Sequence, residues 1–245
     1  MQELIVEKEA LEGYRLSPQQ RRLWELEHAA LGGAYRALRA VSVEGPLDPE
    51  SLKAALRVVV ERHEILRTGF HLTPELRTPL QVINEFGEPF FETRDLRGVS
   101  TREQEAAVEE AFLVERRHAQ EFGQSSPLRV TLLTLSDARA VLLLNLPALC
   151  ADARTLENLQ RELGLAYAAT SEGRELSDEV TQFVQFSEWQ LELLEDEEAE
   201  AGREFWAAQE DLSAAPQPSL PCESVADAAP DLAPELFAFE AGPET

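Results

Sequence analysis

Residues 139–147 read Arg-Ala-Val-Leu-Leu-Leu-Asn-Leu-Pro, and this segment constrains the fold more than any other part of the chain. It follows Ser136-Asp137-Ala138, a turn-forming triplet, and a second apolar segment from Leu128 to Leu135. The pairing predicts a β-hairpin. Its second arm is apolar almost throughout and does not alternate, which is the pattern of a strand covered on both faces. The remaining periodicities supply the cover, so the predicted fold class is α/β, an α+β mixed sheet covered by helices.

Helix signals surround that hairpin. Ser17-Pro18-Gln19-Gln20 combines an N-cap serine, proline at the first helical position and glutamine at N3, predicting a helix over about 18–31 that ends at Gly32-Gly33. Alternation from Tyr35 to Val43 predicts a strand, followed by a turn at Glu44-Gly45-Pro46. Asp48-Pro49-Glu50 starts a second helix with an apolar stripe of Leu52, Ala55, Leu56, Val59 and Val60, ended by Arg62-His63-Glu64. Further strands are expected over Leu66 to Leu72, Leu80 to Ile83 and Pro89 to Thr93. Ser100-Thr101-Arg102-Glu103 is a capping box for a helix reaching about Phe122, and Leu156, Leu159, Leu163 and Tyr167 mark another after the hairpin. From Val180 to about Gln209 the chain reads as helical, with a break around Asp196.

Two segments resemble core motifs of nonribosomal peptide synthetase condensation domains. Tyr14-Arg15-Leu16-Ser17-Pro18-Gln19-Gln20-Arg21-Arg22-Leu23-Trp24-Glu25-Leu26 is similar to the first, Ser-x-x-Gln-x-Arg-Leu-Trp. Arg62-His63-Glu64-Ile65-Leu66-Arg67-Thr68-Gly69-Phe70 fits the second, Arg-His-Glu-x-Leu-Arg-Thr-x-Phe, at every fixed position. Phe183-Val184-Gln185-Phe186-Ser187-Glu188-Trp189-Gln190 resembles the segment that opens the family's second lobe. The resemblance runs from about Leu11 to Gln209, and the chain is roughly half as long as the family's two-lobed domain. It implies one lobe of a chloramphenicol acetyltransferase-like fold over residues 1–173, the first helices of the second lobe over 174–210, and a truncated, acidic, Pro/Ala-rich tail over 211–245. That tail lacks periodicity and is expected to make few long-range contacts.

A third family motif, His-His-x-x-x-Asp-Gly, closes a strand such as Val141-Leu142-Leu143-Leu144. The register here gives Pro147 and Ala148 for the two histidines, Asp152 for the aspartate and Ala153 for the glycine. In the family, carrier proteins bring acyl groups on phosphopantetheine arms into a tunnel between the lobes, and the second histidine lies where the arms meet. An imidazole there can accept a proton from, or orient, an attacking amine. Alanine can do neither, so the motif is degenerate and no catalytic residue is assigned. The heterocyclising branch of the family would require aspartate at 147, where proline stands, although Asp152 matches its second acid and Asn145 lies just outside the register. The resemblance makes Asp152 mainly structural and pairs it with Arg67; the residues alone also allow Asp152 to be a helix N-cap through the N–H near Thr155. Arg62, His63 and Glu64 belong to the second motif, and His63 is read as a packed or hydrogen-bonded structural residue.

Other candidates carry less chemistry. Cys150 has apolar neighbours and no base close in sequence, so it reads as a small buried residue, and with Cys222 it gives neither a disulfide framework nor ligand spacing for zinc. No metal site is expected. His28, His71 and His118 lie on separate elements, and Trp24 and Trp189 are expected to be core anchors. The net charge of −24 is concentrated in residues 175–245, which hold nineteen acids and one base; this disfavours nucleic acid and anionic membranes as partners. No basic n-region precedes an apolar run at Met1-Gln2-Glu3-Leu4, so a cytoplasmic protein is expected. The resemblance implies carrier proteins and neighbouring synthetase domains as partners, with no cofactor bound directly. The function expected is recognition or docking of carrier-tethered acyl or aminoacyl groups, with amide-bond formation lost or reduced. The alternatives are a noncanonical acyltransferase that works without the histidine in a full-length parent, and an inert fragment.

Overall fold

A computed structural model of the chain describes residues 13–29, 35–72, 78–118, 126–174, 176 and 179–209. Its centre is the hairpin of β5 (Arg129–Ser136) and β6 (Arg139–Pro147). With β1 (Arg36–Glu44) and β4 (Phe90–Asp95) they form a four-stranded sheet in the order β1-β6-β5-β4. β6 runs antiparallel to both neighbours, and β4 runs parallel to β5, so the sheet is mixed as expected. Leu142 through Pro147 are buried without interruption. Leu142, Leu144 and Leu146 enter the main core, whereas Leu143 packs with Leu133 and Ala111 on the opposite face. The pleat alone produces this division, because successive side chains point to opposite faces.

Helices cover both faces. α2 (Pro49–Arg62) begins at Asp48, whose carboxylate accepts from Ser51 N at 2.8 Å, and its five predicted stripe residues are all buried. α4 (Ala153–Ser171) packs against α2 and is tied to its start, where Asp48 N donates to Tyr167 Oη at 3.0 Å. α1 (Pro18–Ala29) begins with the reciprocal bonds Gln20 N to Ser17 Oγ and Ser17 N to Gln20 Oε1. α3 (Thr101–Arg116) carries the predicted Ser100–Glu103 capping box and covers the second face through Val108, Ala111 and Phe112. Gly45 stands at φ +103° between β1 and α2, a backbone conformation that favours glycine.

Several boundaries differ from the sequence expectation. α3 ends at Arg116, short of Phe122, because Arg117 N turns back to the carbonyls of Leu113 and Val114; residues 119–125 lie outside the described part. The expected strand from Leu66 begins later. Glu64–Arg67 form a 3-10 turn closed by Leu66 N to His63 O, and only then does β2 (Thr68–His71) pair with β3 (Leu80–Ile83) in a separate two-stranded sheet. The predicted Gly32-Gly33 helix stop and the 211–245 tail also lie outside the described residues. α5 (Phe183–Glu195) and α6 (Glu200–Ala207) are separated at Asp196, where the break was expected. Trp24 is buried, but Trp189 is 54% exposed and is not a core anchor. Its ring lies 5.8 Å from that of Phe186 along an α5 face that no described element covers fully. Among the described residues no helix is long and apolar enough to cross a membrane.

The expected ion pair between Asp152 and Arg67 is not formed. Asp152 is the N-cap of α4, accepting from Thr155 N at 2.7 Å and from Thr155 Oγ1 at 2.8 Å, which holds its carboxyl below the usual range. Arg67 instead donates to the Asn84 carbonyl and lies 3.7 Å from Glu64, held by the 3-10 turn on the β2–β3 side. Local hydrogen bonds therefore satisfy Asp152, whereas Arg67 is held by Asn84 and Glu64 and keeps a buried Nε without a hydrogen-bond partner.

Two stability outcomes follow from this packing. Leu144→Ala, which empties a fully buried position between the sheet and α2, should cost about 2–5 kcal/mol in urea unfolding. Asp152→Ala should cost about 1 kcal/mol by removing the cap, and combining it with Arg67→Ala should be additive to within about 0.5 kcal/mol. A larger coupling energy would mean that the two side chains interact.

Candidate functional site

The loop that follows β6 is held from three directions. Ala148 N donates to Tyr35 O at 2.9 Å, continuing the β1–β6 pairing past Pro147. Cys150 N and Ala151 N both return to Pro147 O, at 2.9 and 3.2 Å, so the chain makes a tight turn before α4. From below, Gln20 Nε2 on α1 donates to Leu149 O at 3.0 Å and to Gln81 Oε1 at 2.9 Å. Gln81 in turn reaches Arg15 O at 2.8 Å, and Tyr14 exchanges two backbone bonds with Gln81. The glutamine of the first motif thus fixes the loop where the third motif's register falls. Leu149, Cys150 and Ala151 are buried, and Ala148 is only partly covered.

Side-chain chemistry in the loop is sparse. Pro147 and Ala148 offer no ionisable group. Burial pushes the Cys150 thiol well up, and the nearby Arg36 charge only partly offsets this, so the sulfur stays protonated and is a poor nucleophile. Asp152 is occupied as the cap. Among the described residues no group of three or more His, Cys, Asp and Glu side chains is placed to hold a metal ion.

The second motif lies at the far end of α2 and serves as a joint. His63 Nε2 is 2.6 Å from Glu162 Oε2 on α4, and Arg62 Nε donates to Glu162 Oε1 at 2.9 Å. Burial pushes Glu162 up, but the hydrogen bonds from His63 and Arg62 outweigh it and leave the carboxyl below its ordinary value. Arg62 also donates to Leu176 O at 3.1 Å. Gln182, the N-cap of α5, donates to Arg62 O at 2.9 Å and accepts from Glu64 N at 3.0 Å. Arg62, His63 and Glu64 therefore tie α2, α4 and the start of α5 together, and His63 is hydrogen-bonded.

A polar layer missed by the sequence reading crosses the sheet at the loop end. Arg129 on β5 forms a two-pronged pair with Glu115 of α3, at 3.0 and 3.1 Å, and its guanidinium lies 3.8 Å above the Phe90 ring. Asn145 Nδ2 donates to Glu115 O at 2.8 Å and Oε2 at 2.7 Å, while Asn145 Oδ1 accepts from Arg36 Nε at 2.7 Å. Burial raises Glu115, but Arg129 and Asn145 overcome it and hold the carboxyl below its usual value. The only sequence signal was Asn145, a polar residue inside an otherwise apolar strand. An apolar cleft of about 430 Å³ lined by Val108, Phe112, Leu135 and Val141 opens between α3 and the hairpin turn. It also touches Arg139, at the opposite end of β6 from Pro147, and so lies apart from the loop.

The family model for the condensation domain matches residues 10–244. A linear gramicidin synthase protein of Brevibacillus parabrevis is 32% identical over 212 residues, which cover 85% of this chain and 3% of that protein. Among solved structures, the SgcC5 protein from Streptomyces globisporus superposes with a TM-score of 0.67 at 29% identity, over 79% of this chain and 45% of that one. The starter condensation domain of the rhizomide synthetase RzmA superposes with a TM-score of 0.71 over 81% of this chain and 48% of that one; at 18% identity the likeness is one of fold. The chain thus spans a few per cent of the gramicidin synthase and about half of each solved structure. With a family match over nearly its whole length and the fold of solved condensation domains, this chain belongs to the condensation-domain family of nonribosomal peptide synthetases.

Proposed function

We propose that this chain recognises or docks acyl or aminoacyl groups carried on the phosphopantetheine arms of carrier proteins, and that its capacity to form amide bonds is lost or much reduced. The observation that carries this reading is the β6–α4 loop, where Pro147 and Ala148 stand in the register of the family's two histidines and the Ala148 N–H is occupied by Tyr35 O. His63 of the second motif is engaged with Glu162 at the other end of α2. A general base contributes about 10² to 10⁴ in rate, and positioning of the two reactants contributes as much or more. The alanine removes the first here, and the residues described span about half of a solved condensation fold.

The α5 and α6 surfaces support the second part of that statement. Phe186, Trp189, Leu193, Leu194, Phe205 and Trp206 are each about half exposed or more, and clustered exposed apolar side chains mark interaction surfaces. A second lobe of a condensation fold would cover them and complete the tunnel. The loop itself needs no such partner, because the bonds from Gln20 and Tyr35 hold it within this chain.

Three outcomes test the proposal. The 245-residue chain, mixed with an aminoacyl-loaded donor carrier and an acceptor carrier, should give no condensed product by mass spectrometry above a no-protein control. Product on the acceptor arm would replace the docking reading with that of a noncanonical acyltransferase. Pro147→His, Ala148→His and Ala153→Gly together should not create activity in these 245 residues, because they supply only one wall of the tunnel. In NMR titrations a loaded carrier should shift the amides of residues 148–152 more than the same carrier without its phosphopantetheine arm; equal shifts, or none, would refute docking.

A further inference from the structure

Gln81 belongs to none of the three motifs, yet it stands between them. It lies on β3, is 1% exposed, and is opposite Phe70 of the second motif in the β2–β3 register. Tyr14, which opens the first motif, bridges to it: Tyr14 N donates to Gln81 O and Gln81 N to Tyr14 O, both at 2.8 Å. The approach is close because residue 13 is glycine. A Cβ there would stand 2.8 Å from Leu80 Cβ and 3.1 Å from the Gln81 carbonyl oxygen. Lying so near to β3, this segment brings the Arg15 carbonyl to 2.8 Å from Gln81 Nε2.

The side chains of Gln81 and Gln20 form a buried amide pair with one consistent arrangement. A glutamine presents an acceptor oxygen and a donor NH2, and its partners decide which end is which. Ser17 N can only donate, so Gln20 turns Oε1 to it, at 2.9 Å. The Gln20 NH2 then faces Leu149 O, which can only accept, at 3.0 Å, and Gln81 Oε1 at 2.9 Å. Gln81 is left with its own NH2 toward Arg15 O, again an acceptor. Backbone groups at every end thus fix both amides, and no flip keeps all the bonds. Gln20 is 3% exposed, so a bond lost here leaves a buried polar group unpaired.

We propose that Gln81 is a positioning residue for the 147–152 loop. By accepting one N–H of Gln20 it keeps the other aimed at Leu149 O, and the β2–β3 sheet thereby sets where the loop sits against α1. The strand that ends the second motif, the helix of the first and the loop in the third motif's register are joined through this one side chain. Positioning of the loop needs only residues of this chain. Its consequence for a carrier-borne acyl group rests on the docking reading.

The test is amide hydrogen exchange, followed by NMR on the full chain and on Gln81→Leu. A side chain that only adds stability speeds exchange at all core amides by one common factor when it is lost. A positioning residue acts locally: Ala148, Cys150 and Ala151 should accelerate about tenfold more than Val59 of α2 and Leu132 of β5. Adding Gln81→Leu to Gln20→Leu should bring no further acceleration of the loop, because Gln81 acts through Gln20. Gln20→Glu still accepts from Ser17 N but turns an oxygen toward Leu149 O, and should accelerate the same three amides. Should Gln81→Leu not fold, Gln81→Asn, which keeps the amide but shortens its reach, takes its place with the same expected result. Uniform acceleration, no acceleration, or loop effects of the two substitutions that add would overturn the proposal. In a separate arm, the shifts that a loaded carrier causes at 148–152 should shrink severalfold in Gln81→Leu; unchanged shifts beside an accelerated loop would overturn its bearing on docking. If the parent shows no carrier-induced shifts, docking fails and the exchange rates still decide the positioning role.

Discussion

Everything in this lobe is arranged around a strand that must be dry on both faces. β6 carries leucines at successive positions, so its two sides cannot be assigned to core and water. Burying such a strand requires helices on each side, and α2 with α4 and α3 supply them. The strand also fixes where chemistry can occur, because its carboxyl end is held between β1 and α1 by the Tyr35 and Gln20 bonds.

The same dryness explains the polar layer. Asn145 enters the interior with an amide that needs partners, and Glu115 and Arg36 satisfy it directly while Arg129 holds Glu115 in place. Both carboxylate oxygens of Glu115 are engaged in that layer.

The two recognised motifs divide their work in space. Residues of the first motif brace the β6–α4 loop through Gln20, whereas Arg62, His63 and Glu64 brace the passage from α2 to α4 and α5. Asp152 and Arg67 belong to different local systems, a helix cap and a 3-10 turn, and neither depends on the other. The condensation fold at this loop is thus held through backbone groups of Pro147 and Ala148 and through the side chain of Gln20.

The sequence by itself determined the elements whose signals are local. The Asp48 and Ser100 caps, the apolar stripe of α2, the hairpin and the break at Asp196 all follow from interactions within a few residues, and the motif spacing made the family legible. Tertiary structure alone decided what depends on distant partners. The start of β2 was delayed by the turn after His63, and Arg67 was drawn to Asn84. Trp189 was left on an uncovered face, because helical spacing shows that a side is apolar but not what lies against it. The Glu115–Asn145–Arg36 layer was hidden for the same reason. It joins residues from α3, β6 and β1, and the free energy of a buried charge is set by neighbours in space that sequence separation does not reveal.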